Sequence, residues 1–318
     1  MYFPVAGIEL SPWIPTVVSF VISFFTSMGG VSGAFLLLPF QMSVLGFNSP
    51  AVSATNQLFN IVATPGGVYR FIREGRMVWP LTWAVITGTL PGVLIGAILR
   101  IQYLPDPKKF KLFVGLVLLY IGSRMLIDLF QKKQVKNDQA FAEEQFRNKI
   151  QAFRNLKRSP NVPKQHVPQV LVKEFNLSRI IYEFHGRSFE INTINIMLLC
   201  FIVGIIGGVY GVGGGSIVAP FFVSIFGLPV YTVAGAALMG TFVTSVGGVI
   251  IYQIMSLYYP GMSIAPDYAL GFMFGIGGIA GMYCGARFQK FVPAKLIKWI
   301  LAICILFPAV RYIWEFIT

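Results

Sequence analysis

The sequence predicts an all-α polytopic membrane protein of two inverted repeats, each a glycine-broken helical hairpin followed by three transmembrane helices. Three observations carry this. Of the 318 residues 55% are hydrophobic and 12% charged, with a mean hydropathy of +0.70. The charges are segregated: no Lys or Arg precedes Arg70, and none lies between Arg187 and Arg287. The intervening apolar runs reach about 20 residues, enough to cross a bilayer core. Finally, the first half recurs in the second. An ungapped shift aligns Gly30, Val31, Gly33, Pro39, Phe40 and Gly46 with Gly211, Val212, Gly214, Pro220, Phe221 and Gly227, and Gly66-Gly67-Val68 with Gly247-Gly248-Val249.

In chain order, Trp13 to Met28 is a first apolar helix, interrupted by Gly29-Gly30-Val31-Ser32-Gly33. Glycines break a helix and leave backbone amides unshielded. A shorter apolar piece, Ala34 to Leu45, ends before Gly46. Spans follow at 51–69, closed by Arg70, Arg73 and Arg76, at Trp79 to Leu99, and at Leu112 to Phe130. Residues 131–190 differ in kind, with 12 Lys plus Arg and 6 Asp plus Glu. Helical spacing of Ala142, Phe146, Ile150 and Phe153 predicts an amphipathic helix over Gln139 to Lys157, lying on the inner leaflet or packing on the connector. Alternation around Val170 to Val172 and Ile180 to Ile191, with a turn at His185-Gly186, predicts a strand hairpin. Beyond Asn192 the apolar pattern restarts. It is interrupted by Gly211-Val212-Gly213-Gly214-Gly215-Ser216, with Pro220 four residues on. The chain thus divides into a first repeat (1–130), a basic connector (131–190) and a second repeat (191–318).

Charge sets the expected topology. The connector, the Arg70 turn and the turn holding Arg287, Lys290, Lys295 and Lys298 fall inside by the positive-inside rule, and the uncharged Ser256 to Pro266 turn falls outside. These agree only if Trp13 to Leu45 and Ile191 to Phe226 enter and return as hairpins, which places both termini outside and inverts the halves. Arg100, Lys108, Lys109 and Lys111 stand against this, on the outside. The first residues carry no basic region of a signal peptide.

Gly88, Gly92 and Gly96 correspond to Gly277, Gly281 and Gly285, a four-residue spacing that favours close helix packing. Cys200, Cys284 and Cys304 fall in apolar spans, and His166 and His185 in the polar connector, so no metal or cofactor is expected. A P-loop needs Lys after its last Gly, where this chain has Ser216-Ile217. No His and no central carboxylate stand in the spans, so an enzyme is not expected either. Basic patches with interleaved aromatics are missing, so neither is a nucleic-acid partner.

The two glycine runs with their following prolines resemble the sulfite exporter TauE/SafE family of membrane transporters. Gly211 to Pro220 fits closely; Ser32 and Ala34 stand where the family has glycine. The resemblance covers roughly 12–130 and 191–316 but not the connector. It implies secondary transport of a small sulfur-containing anion such as sulfite or a sulfonate, with export the expected direction and the bacterial inner membrane the expected location.

Such a substrate needs hydrogen-bond donors and positive potential at mid-membrane, without a fixed cation that holds it too firmly. Helix N-termini supply both. The candidate substrate-binding residues are therefore Gly29, Gly30, Ser32 and Gly33 with Gly211, Gly213, Gly214, Gly215 and Ser216, joined by Asn56, Gln57 and Asn60 and by Thr241, Thr244 and Ser245. Asn60 aligns with Thr241, and Asn56, Asn60 and Thr64 share one helix face. The alternative for these polar residues is hydrogen bonding between helices. Proton coupling through the substrate, a homo-oligomer, a passive anion channel and a membrane scaffold recruiting a partner through 131–190 remain open readings.

Overall fold

The computed structural model describes residues 1–130, 141–142, 144–145, 148 and 170–317. The amphipathic helix expected over Gln139 to Lys157 and the side chain of His166 lie largely or wholly outside them. A two-stranded ribbon, β1 (Tyr2–Phe3) and β2 (Ile8–Glu9), opens the chain. The first half continues as α1 (Trp13–Met28), α2 (Ala34–Ser43), α3 (Ala51–Arg73), α4 (Trp79–Tyr103) and α5 (Pro107–Phe130). An antiparallel sheet of β3 (Val170–Phe175), β4 (Arg179–Phe184) and β5 (Arg187–Asn192) follows. The second half is α6 (Thr193–Tyr210), α7 (Gly214–Ser224), α8 (Val230–Tyr258), α9 (Tyr268–Phe288) and α10 (Ala294–Ile317).

Among the described residues six helices are long and apolar enough to cross a membrane: α4, α5, α6, α8, α9 and α10. The protein is an integral membrane protein. The charge map leads one to expect α3, rather than α6, in that set. α3 is long enough, since 23 residues rise about 34 Å, but its polar residues lower its hydropathy. They are tolerated because α3 is wrapped by protein: Ser53, Thr55, Asn56, Gln57, Asn60 and Thr64 are all fully buried. α1, α2 and α7 are shorter apolar helices.

Glycine contacts fix the helix directions, because a missing Cβ brings a neighbour's backbone close. Gly277, Gly281 and Gly285 of α9 lie against Thr16, Phe20 and Phe24 of α1, so these helices are parallel. Gly271 and Gly275 meet Leu58 and Val62, so α3 runs with them. Gly88, Gly92 and Gly96 of α4 meet Met197, Phe201 and Ile205 of α6, again in parallel, and Gly240 and Gly247 of α8 meet Val85 and Leu90 of α4. α3 opposes α8, Gln57 lying beside Gly248 and Gly67 beside Leu238. Thus α1, α3 and α9 run one way and α4, α6 and α8 the other, so corresponding helices of the two halves point in opposite directions. The same glycines show what the ladder does: it seams helices of different halves together.

The two ends of the bundle differ in charge. At one end Glu74, between α3 and α4, meets Arg70 at 2.5 Å, Arg76 at 2.7 Å and Lys290 at 3.0 Å. The sheet sits at this end, where Tyr182 hydrogen-bonds Thr232 at 3.0 Å and Tyr231 donates to the Val292 carbonyl at 3.3 Å. Burial alone would raise the Glu74 pKa, but Arg76, Lys290 and Arg70 hold its carboxyl below the usual value. The other end gathers the β1–β2 ribbon, the start of α3 and the turn before α9. There Asp267 caps α9 by accepting from Leu270 N at 3.0 Å, accepts from Val5 N and Ala6 N at 3.2 Å, and its own amide donates to Thr55 Oγ1 at 2.8 Å.

Candidate functional site

Both glycine breaks turn the chain back into the bundle. α1 runs down to the charged end, where Gln289 Nε2 donates to the Met28 carbonyl at 2.7 Å. Gly30 reverses the chain at φ +73, with room for no Cβ because Ala234 Cα lies 2.7 Å from where one would stand. Residues beyond it climb inward, and α2 starts inside the protein at Ala34. The second break mirrors this from the other end. α6 ends at Gly211 in the left-handed conformation, φ 82, and Gly213, φ 75, delivers the start of α7 at Gly214. L side chains rarely adopt such φ values. Two half-helices therefore begin within the bundle, one from each half.

Two asparagines of α3 tie the breaks together. Asn56 Nδ2 donates to the Ala34 carbonyl at 2.9 Å and to the Gly211 carbonyl at 3.2 Å. One turn on, Asn60 Nδ2 donates to the Val212 carbonyl at 2.9 Å and to Ser245 Oγ at 3.2 Å, while Ser32 Oγ donates to Asn60 Oδ1. Each half-helix has its first amide held by a hydroxyl: Ala34 N donates to Ser32 Oγ and Gly214 N to Thr244 Oγ1, both at 3.2 Å. Hydroxyl acceptors at such N-termini occupy the positions where an anion would be received.

The remaining candidates gather around these atoms. Ser216 Oγ lies 3.1 Å from Thr241 Oγ1 and donates to the Val212 carbonyl at 2.6 Å. A Cβ on Gly213 would stand 2.8 Å from Ser245 Oγ; one on Gly214 would strike Thr89, and one on Gly215 the backbone of Ala237 and Thr241. Gly33 packs on Ser23 and Phe59. Gly29 is peripheral: it is only half-buried and closes α1. Gln57 turns away from the breaks toward Gly248, fully buried, and neither side-chain polar atom has a partner among the described residues. Three further residues belong here. Gln41 Nε2 donates to Asn56 Oδ1 at 3.3 Å, Tyr210 OH donates to the Phe35 carbonyl at 2.8 Å, and Thr89 walls Gly214. A lone glutamine in the apolar stretch Ala34 to Leu45 was the one available signal for Gln41.

This arrangement presents hydroxyls, amides and two helix starts at a junction of both halves, and among the described residues no ionised side chain is hydrogen-bonded to it. A family model described as Sulfite exporter TauE/SafE matches residues 16–312. The chain belongs to the sulfite exporter TauE/SafE family. The match runs through both breaks and the connector between them. No curated protein and no solved structure gives a match. TauE/SafE proteins are transporters, in keeping with the membrane-crossing helices. An apolar groove of about 440 Å³ between α3 and α9, lined by Pro65, Tyr69, Ile279 and Tyr283 among others, contains none of the candidate residues.

Proposed function

We propose that the protein is a secondary transporter, and by preference an exporter, of a small sulfur-containing anion such as sulfite or a sulfonate. Its halves form an inverted repeat that works by alternating access around the paired glycine breaks. The observation that carries this reading is the meeting of two half-helix starts, Ala34 and Gly214, from oppositely directed halves at the Asn56–Asn60 pair. A helix terminus offers an anion about 0.3–1 kcal/mol, up to about 2 when partly buried. Two such termini attract the anion without a lysine or arginine that would retain it. Rotation of the Ser32 and Thr244 hydroxyl oxygens away from the backbone amides that donate to them would release Ala34 N and Gly214 N to the substrate.

Asn56 and Asn60 then act by holding the two breaks in register, since their donors face the Ala34, Gly211 and Val212 carbonyls and the Ser245 hydroxyl. Proton coupling, in this reading, resides on the substrate, because sulfite and bisulfite differ by one proton. The charged end with the sheet is assigned to the cytoplasm and the Asp267 end to the exterior, with both termini outside, in a bacterial inner membrane. Purified protein in proteoliposomes tests the function: saturable counterflow of sulfite, thiosulfate, sulfoacetate or taurine is expected. Absence of flux for all four, or flux that never saturates, would remove the carrier.

A further inference from the structure

At the end of α4 remote from the charged cluster stands a second arginine that the central junction does not use. Arg100 is fully buried. Its Nη1 donates to the Leu104 carbonyl and its guanidinium lies over the Phe110 ring, 3.6 Å from the centroid. Nε and Nη2 have no hydrogen-bond partner among the described residues, and no described carboxylate lies within ion-pair distance. A buried guanidinium without a counter-charge is costly and points to a functional role.

The opposite end of the bundle shows what a self-sufficient arrangement looks like. The glycine ladder that matches Gly96 with Gly285 matches Arg100 with Gln289, and Gln289 accepts from Arg76, whose charge Glu74 balances at 2.7 Å. The matching place near Arg100 holds no carboxylate; the ungapped shift puts Met255 where Glu74 stands. The imbalance is thus confined to the Arg100 end.

Arg100 also leads to the junction. Tyr252 of α8 belongs to one buried cluster with Ala54 of α3, next to Ser53, and with Ala97 and Ile101 of α4, the latter next to Arg100. Tyr252 OH donates to the Gly208 carbonyl and Ser53 Oγ to the Tyr210 carbonyl, each at 3.4 Å, just before the second break. We infer that Arg100 is the anion-binding residue of a second, terminal substrate site, whose Nε and Nη2, covered in this conformation, are uncovered to a small oxyanion on its way to or from the central junction. The side chains clustered about Tyr252, Ala54, Ala97, Ile101 and Ile264, are apolar. No described carboxylate lies within ion-pair distance of Arg100 to pair with an ammonium group as well, so the ligand is a simple oxyanion such as sulfite or sulfate rather than a zwitterion such as taurine. As a substrate site this rests on the transport reading; as an anion site it does not.

The test is thermal unfolding of the full chain in detergent, titrated with sulfite, sulfate and taurine at constant ionic strength and without any flux measurement. Wild type is expected to rise saturably with sulfite and sulfate, and less with taurine, which only the central junction would take. Arg100→Gln should remove this excess of sulfite and sulfate over taurine, and Arg100→Lys should weaken its affinity at least ten-fold, since a lysine cannot present two fixed donors. A wild-type protein that does not respond, an Arg100→Gln response equal to wild type, or an equal response to taurine overturns the inference. Should both variants fail to fold, a wild-type crystal grown with selenate decides. An anomalous peak beside the Arg100 guanidinium supports the site, and its absence there overturns it. Saturable protection without transport in liposomes would uphold the anion site while defeating the carrier.

Discussion

Asn60 and Val212, 152 residues apart, are joined by a 2.9 Å hydrogen bond from the asparagine Nδ2 to the valine carbonyl. It binds the first half's α3 to the second half's break. Asn60→Leu removes this bond together with those to Ser32 and Ser245. The Val212 carbonyl keeps the Ser216 hydroxyl, but the buried Ser32 hydroxyl loses its acceptor, and a buried donor left unpaired costs about 1–3 kcal/mol. We expect the variant to insert in the membrane, unfold at lower temperature and lose transport. Flux per inserted molecule measured beside the melting curve checks this, and wild-type flux would sink the role given to Asn60.

Gly214 begins α7 where a Cβ would run into Thr89. Gly214→Leu should displace the helix start and end transport while the outer helices still assemble. Thr89→Ala in the same chain vacates part of the wall and should restore protein yield in preference to flux. Retained flux in Gly214→Leu alone would show that the break takes no part in transport.

A glycine of the inter-half seam should behave differently. A Cβ on Gly92 meets the Phe201 carbonyl and would stand 2.8 Å from Ile205 N. Gly92→Ala is overpacking, worth about 1–3 kcal/mol. The expected outcome is a lower melting temperature with near-normal flux per folded molecule, and selective loss of flux would move Gly92 from scaffold to site.

Glu74 gives a pH signature. Its folded-state pKa is lowered, so its contribution to stability is complete above the unfolded carboxylate value, about 4.3. The contribution declines as pH falls through the still lower folded value. Wild type should therefore lose stability in acid below about pH 4, and Glu74→Gln should flatten that part of the profile. At neutral pH the variant should be less stable by about 3–5 kcal/mol, the usual result of removing one partner of a buried pair. Parallel acid profiles of the two proteins would contradict this role.

How much could be read beforehand follows from the range of each interaction. The end of α1 at Met28 and the starts of α2 and α3 were legible, because Gly29 to Gly33 and Pro50 act locally. The polar stripe Asn56, Asn60 and Thr64 was legible from helix period. Its partners were not: Asn60 reaches Val212, and Asn56 reaches both Ala34 and Gly211, pairings that no periodicity encodes. The β1–β2 ribbon also escaped notice, since two-residue strands leave no alternating pattern. The start of β3 was legible in the alternation at Val170 to Val172, but not its continuation to Phe175, because a register shift between Val172 and Glu174 interrupts the alternation.

The glycine seams have a mechanical consequence. α1 is fastened along α9 and α6 along α4, each pair joining one half's first helix to the other half's fourth. A motion that pulled residues 1–130 away from 191–318 would have to open both fastenings at once. On the proposed carrier reading, the body that rocks is a mosaic drawn from both halves, and the line between 1–130 and 191–318 is not the one along which it hinges.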